Sequence, residues 1–154
     1  MQIKELFIST LFTLFISLAF AQSPAQTPIG KWKTIDDETN KAKAIIEITK
    51  DANGKLNGKV IALFRDPGED PDPVCDVCPG DRKGKKTIGM EILTGLKWHK
   101  GDEDWQGGDI LDPDNGKIYD CYIAMESPTK LKVRGYIGFS LFGRTQYWYR
   151  ADED

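Results

Sequence analysis

Apolar and polar residues alternate along most of the chain. Between Lys43 and Lys50, Ala44, Ile46 and Ile48 fall on one face while Lys43, Glu47 and Thr49 fall on the other. A half-buried strand requires this period of two, because its successive side chains point to opposite sides. Asp51-Ala-Asn53-Gly54 interrupts the pattern with residues that take positive φ cheaply, and Lys55 to Phe64 resumes it with Leu56, Val60, Ala62 and Phe64 set to face inward. The two segments read as an antiparallel hairpin. Beyond a long loop over 65–87, Ile88, Met90, Ile92, Thr94, Leu96 and Trp98 share a row. A strand from Trp105 to Leu111 closes on the turn Asp112-Pro-Asp-Asn-Gly116 and returns over Lys117 to Glu126, with Tyr119, Cys121, Ile123 and Met125 on one face. Ser127-Pro128-Thr129 turns the chain again, Leu131, Val133 and Ile137 alternate with Lys132, Arg134 and Tyr136, and Arg144 to Arg150 is dense in the aromatic residues and Thr that suit a pleated surface.

With Gly30 to Ile35 as the first, this makes about eight strands joined by mostly short connections, with no helical period among them. The prediction is an all-β fold, a single antiparallel up-and-down β-barrel, since closure alone removes exposed strand edges. An immunoglobulin-like sandwich is the alternative, and it needs Greek-key crossovers that short loops do not easily supply.

Ahead of the strands, Lys4 and Glu5 precede an apolar run from Leu6 to Phe20 and the small-x-small site Ala19-Phe20-Ala21. This order predicts a cleavable signal helix over 1–21, cut after Ala21. The run falls short of the roughly 20 residues that cross a bilayer as a helix, so an anchor is the weaker reading. Gln22, where a lipoprotein would have Cys, gives no lipid anchor. The expected organisation is a signal peptide (1–21), a flexible leader (22–28) rich in Pro and small polar residues, and a β-barrel domain (29–151) that is periplasmic or secreted, with no transmembrane segment after cleavage. What remains is the size of one domain with one core. The formal charge is −3, with Lys and Arg spread along the chain, which leaves no electrostatic footprint for nucleic acid.

Cys75-Asp-Val-Cys78 is the sharpest local feature. Outside the cytoplasm paired thiols become disulfides, and the flanking Asp70-Pro-Asp-Pro73 and Pro79-Gly80 forbid the helix on which a thioredoxin-type motif depends. A zinc centre would want four ligands from a chain with three Cys and one His. A local disulfide is therefore preferred to metal or redox catalysis. Cys121, on an apolar face, reads as a buried thiol, with pairing to Cys75 or Cys78 as the alternative. The acids Asp66, Glu69, Asp70, Asp72, Asp76 and Asp81 match no calcium-loop spacing, and read as a solvated loop beside Arg82, Lys83, Lys85 and Lys86. His99 reads as an exposed loop residue, and no Gly-x-Ser-x-Gly elbow accompanies it. No catalytic residue, cofactor or metal is assigned.

Gly30-Lys-Trp32 resembles the Gly-x-Trp signature of lipocalins and other calycins. That resemblance implies a Trp closing one end of the barrel under an Arg of the last strand, Arg144 or Arg150. The whole of Ile29 to Arg150 resembles a bacterial envelope family, domain of unknown function 2147, with a calycin-like barrel. The resemblance rests on Gly30-Lys-Trp32-Lys-Thr34, Asn53-Gly-Lys-Leu-Asn-Gly58-Lys-Val, Cys75-x-x-Cys78, Gly107-Gly-Asp-Ile-Leu-Asp112-Pro-Asp-Asn-Gly116-Lys-Ile-Tyr119, Leu131-Lys-Val-Arg-Gly135-Tyr and Gly143-Arg-Thr-Gln-Tyr-Trp148. It implies fold and address and leaves activity open.

An eight-stranded barrel has an interior just wide enough for side chains or one small molecule. The leading expectation is thus a non-catalytic protein binding a small, partly apolar ligand, with Trp32, Trp98, Tyr119, Tyr147 and Trp148 lining or closing the cavity and Phe139 and Phe142 near whatever enters. The apolar connection Ile137 to Gly143 is expected to fold in and plug a mouth, with an exposed apolar lip as the alternative. A filled barrel contacting an envelope protein through the acidic loop, or a carboxylate-dependent hydrolase, are the other readings.

Overall fold

The computed structural model describes residues 27–151; the expected signal peptide and residues 22–26 of the leader lie outside them. Ten strands follow in chain order: β1 (Gly30–Ile35), β2 (Ala42–Lys50), β3 (Leu56–Leu63), β4 (Val74–Cys75), β5 (Lys85–Lys86), β6 (Glu91–His99), β7 (Asp104–Asp112), β8 (Lys117–Ser127), β9 (Lys130–Tyr136) and β10 (Gly143–Arg150). Eight of them close a barrel in chain order, β1 pairing with β2 and, at the seam, with β10. All of these pairings are antiparallel. The short hairpin β4–β5 is set into the long β3–β6 connection.

Because the strands alternate in direction, the connections fall at two ends. One end is closed. Trp32 is wholly buried, its indole N–H donates to Pro28 O at 2.7 Å, and the Arg150 guanidinium lies 3.9 Å from its ring centroid. Arg150 also donates to Ile29 O and Thr27 O, each at 2.8 Å, tying the first strand to the last. Pro28 is therefore buried structure rather than the last residue of a flexible leader. Arg150 is the Arg that covers Trp32; Arg144 sits at the other end of β10.

Above this floor the lower half of the barrel is filled by Ile48, Leu56, Leu93, Leu96, Cys121, Ile123 and Leu131, all fully buried. Cys121 is a free thiol, as expected. Burial first, and the nearby Asp109 carboxylate second, push its pKa from 9.0 up to about 12. Between those values the unfolded chain releases a proton that the folded chain keeps. Stability then falls as pH rises, at about 1.4 kcal/mol per pH unit for one proton. Urea unfolding across pH 9 to 11 is expected to show a shallower decline for Cys121→Ala than for the parent; parallel declines would place the thiol in water.

Three bulges break two of the expected rows, those of β3 and β6. Ile45 pairs with Ala62 and Ile46 with Val60, so Ile61 is extra and the face changes beyond it. Leu63 turns inward against the core, and Phe64, expected inside, is exposed. Between Leu56 and Gly58, which face Leu96 and Leu93, β6 carries one more residue than β3. Gly95 absorbs it with φ +74°, and its N–H donates to Asn57 Oδ1 at 2.8 Å. Directly across, Gly108 leaves no room for a side chain, since a Cβ there would lie 2.2 Å from Thr94 O. A second extra residue in β6, Ile92, lets both Ile92 and Leu93 be buried, which strict alternation forbids.

Candidate functional site

The other half of the barrel is open. A cavity of about 740 Å³ occupies it, within the roughly 300–1,000 Å³ typical of small-molecule sites. Its deep wall is apolar, with Ala44 and Ile46 from β2, Val60 and Leu63 from β3, Ile92 from β6, Leu111 from β7, Val133 from β9 and Trp148 from β10. All but Trp148, which lies toward the closed end of β10, occupy inward positions near the end of the strand that faces the mouth. Ile46 and Val133 lie only about three residues below the rim, and strands rise by about 3.3 Å per residue. The site is thus a broad cup rather than a deep tube.

Trp148 is 2% exposed and its indole N–H is buried without a hydrogen-bond partner. An unmet donor of this kind costs about 1–3 kcal/mol.

The rim is polar and internally paired. Lys43 on β2 pairs with Asp114 of the β7–β8 turn, a bridge across the mouth, and Arg144 pairs with Asp37 of the β1–β2 connection. Arg65 pairs with Glu69 at 3.6 Å and Lys41 with Asp66 at 3.3 Å. Exposed pairs like these add at most about 1 kcal/mol each, so they shape the rim more than they stabilise it. Gln146 Nε2 donates to Asp37 at 3.1 Å, and Asn115 Nδ2 donates to Tyr119 OH at 3.3 Å. Burial, followed by Asp120, holds the Tyr136 phenol above its ordinary value, which keeps it neutral at the rim.

Part of the rim is the disulfide loop. Cys75 and Cys78 are bonded, and both are buried. Val77 between them packs so closely on the β7–β8 turn that a Cβ on Gly116 would lie 1.9 Å from Val77 O. The bridge thereby holds one wall of the mouth, while chain entropy over so short a ring contributes only about 2 kcal/mol. In the acidic loop, Asp72 pairs with Lys86 at 2.7 Å, which lowers the carboxyl and raises the amine.

The expected site residues divide. Tyr119, Phe142 and Trp148 line the cavity. Trp32 closes the far end of the barrel and does not line the cavity, although its cross-strand neighbour Ile46 does. Trp98 stands at that same far end, because β6 runs away from the mouth; it is 51% exposed, edge-on to Trp105 with centroids 5.5 Å apart. Tyr147 faces outward under Lys130, whose Nζ lies 4.0 Å from the ring centroid. It neighbours the inward Trp148, and adjacent strand residues cannot face the same side. Phe139 projects into water beside the mouth, and the Ile137 to Gly143 connection does not fold in as a plug. Alternation along single strands carried no signal for the rim: Lys43, Arg65, Asp114, Tyr136 and Gln146 come together only through closure of the barrel. At the far end His99 pairs with Asp102 at 3.0 Å and is exposed. With Asp104 these residues form a three-donor group, one short of the four ligands of a structural zinc centre.

The family model described as "Uncharacterized protein conserved in bacteria (DUF2147)" matches residues 30–150. No curated protein matches the chain. Among solved structures, the chain is similar to protein HP1028 from the human pathogen Helicobacter pylori, described as belonging to the lipocalin family. The two share 20% identity over 81% of this chain and 83% of that one, with a TM-score of 0.67. At that identity the likeness is one of fold.

Proposed function

We propose that this chain, which belongs to the bacterial family of domain of unknown function 2147, is a non-catalytic binding protein that holds one small, partly apolar molecule in the open half of its barrel. The observation that carries the reading is the division of the interior. One half is packed solid, while the other keeps an apolar-walled cavity of about 740 Å³ with a paired polar rim. A barrel that served only as a scaffold would gain by filling this space as well, because unfilled volume forfeits dispersion contacts. The lipocalin-like fold of the similar structure is consistent with such a role. The ligand would place its apolar body against Ile46, Val60, Val133 and Trp148, with a polar head among the rim groups.

The site of action belongs to the same proposal. The apolar run before Ala21 and the Cys75–Cys78 bridge together support export to an oxidising compartment. Titration with N-phenyl-1-naphthylamine, a neutral apolar fluorophore that brightens out of water, tests the binding. Saturable uptake of one molecule per chain is expected; a weak, linear, unsaturable rise would count against an open cup.

A further inference from the structure

Four of the six residues that join β9 to β10 are large, apolar and turned to water: Ile137 is 66% exposed, Phe139 74%, Leu141 85% and Phe142 73%. The connection is nonetheless ordered by its own bonds. The Ile137 N–H donates to Phe142 O at 3.2 Å and the Phe142 N–H to Phe139 O at 2.9 Å. Arg134 donates from Nε to Ser140 O at 2.7 Å and from Nη2 to Leu141 O at 3.3 Å. The backbone is thus fixed in a shape that holds apolar side chains outward, and clusters of this kind mark contact surfaces.

We propose that this lip inserts into the acyl layer of a lipid bilayer and seats the mouth of the barrel on the membrane. A lipid surface suits it better than a protein. Stable protein interfaces engage roughly 20–30 residues a side, whereas the lip is a six-residue tip bordered by charged rim groups. The first and last described residues, Thr27 and Ala151, lie at the opposite, closed end, bonded to Arg150 and to Lys31. The charge pattern further defines the membrane. Around the mouth, Arg134 is bonded to the loop itself, Arg144 is paired with Asp37, Lys43 with Asp114 and Arg65 with Glu69, so among the described residues these cations form no free basic belt toward anionic headgroups. Attachment therefore comes from apolar insertion, works on zwitterionic lipid and tolerates salt. Ile137 and Phe142 also wall the cavity, so an apolar ligand would pass between acyl layer and cup without crossing water. That last step rests on the proposed ligand binding; the insertion itself does not.

Flotation with phosphatidylcholine vesicles tests it. The protein is made from Gln22, since residues 27–151 contain the whole barrel and the apolar run ahead of it would bind lipid by itself. The variant is Phe139→Ser with Leu141→Ser, two exposed residues that do not line the cavity. The parent is expected to float with the vesicles equally at low and high salt. The double variant should bind at least tenfold more weakly while taking up N-phenyl-1-naphthylamine as the parent does. A parent that stays in the soluble fraction, a variant that floats as well, or binding confined to phosphatidylglycerol vesicles and released by salt would each overturn the proposal. So would a parent dimer, seen by sedimentation, that the variant abolishes without any vesicle binding. Loss of fluorophore uptake in both proteins, with flotation intact, would strike at the ligand and leave the lip standing.

Discussion

Replacing Trp32 with alanine is expected to cost about 3–5 kcal/mol of stability, the range for deleting a fully buried large aromatic. The ring is wholly buried, and its loss also removes the surface on which Arg150 rests and the donor that serves Pro28 O. Arg150 would keep its bonds to Thr27 O and Ile29 O but over a void, and its cation–π contact, worth about 0.5–2 kcal/mol, would be gone. A domain of this size has only about 5–15 kcal/mol to lose. Thermal unfolding followed by circular dichroism should show a midpoint lower by about 10–20 °C. Trp32→Phe should fall between the two, since it restores the ring but leaves Pro28 O without its donor. A Trp32→Ala protein that melts within about 2 °C of the parent would show that this end of the barrel is not closed by Trp32.

The second large effect falls on binding and leaves the fold intact. Ala44 is small, faces the cavity and lies near the mouth, cross-strand from Leu63. A tryptophan there has the empty cup as its nearest available space, so it should fill the site instead of straining the core. We expect Ala44→Trp to weaken N-phenyl-1-naphthylamine uptake by at least a hundredfold with a melting temperature close to the parent's, and Ala44→Phe to weaken it less. Unchanged uptake in Ala44→Trp would place the fluorophore elsewhere, and the exposed lip would be the first surface to suspect.

The strand pattern was legible because alternation is a local consequence of a sheet wet on one side and buried on the other. All eight barrel strands lie within three residues of where the pattern puts them, and the expected Cys75–Cys78 bond and the buried Cys121 are both present. What alternation could not reveal was where it stops. Ile61, Ile92 and Gly95 each add a residue without a counterpart on the partner strand, and only Gly95 carries a local hint, its ease with positive φ. Those insertions turn Leu63 inward and Phe64 outward, and they bury Ile92 and Leu93 together.

The candidate site was less legible for a different reason. Which aromatics share the cup depends on height along the barrel axis, and that depends on strand direction and register, not on residue type. Trp32, Trp98 and Trp148 are similar as letters, yet one closes the floor, one lies beyond it and one walls the cavity. Tyr147 could have been excluded from the sequence, because its neighbour Trp148 already claimed the inner face. Lys43 and Asp114 are 71 positions apart and meet only because β2 and the β7–β8 turn face each other over the mouth.

The proposed binding depends on a barrel that is solid below and open above. Methyl-labelled NMR spectra recorded as N-phenyl-1-naphthylamine is added address that division residue by residue. The signals of Ile46, Val60, Ile92 and Val133 should shift with a common saturation curve, and those of Ile48, Leu56, Leu96 and Leu131 should stay nearly still. Shifts confined to Ile137 and Leu141, or shared evenly by both halves of the interior, would contradict it.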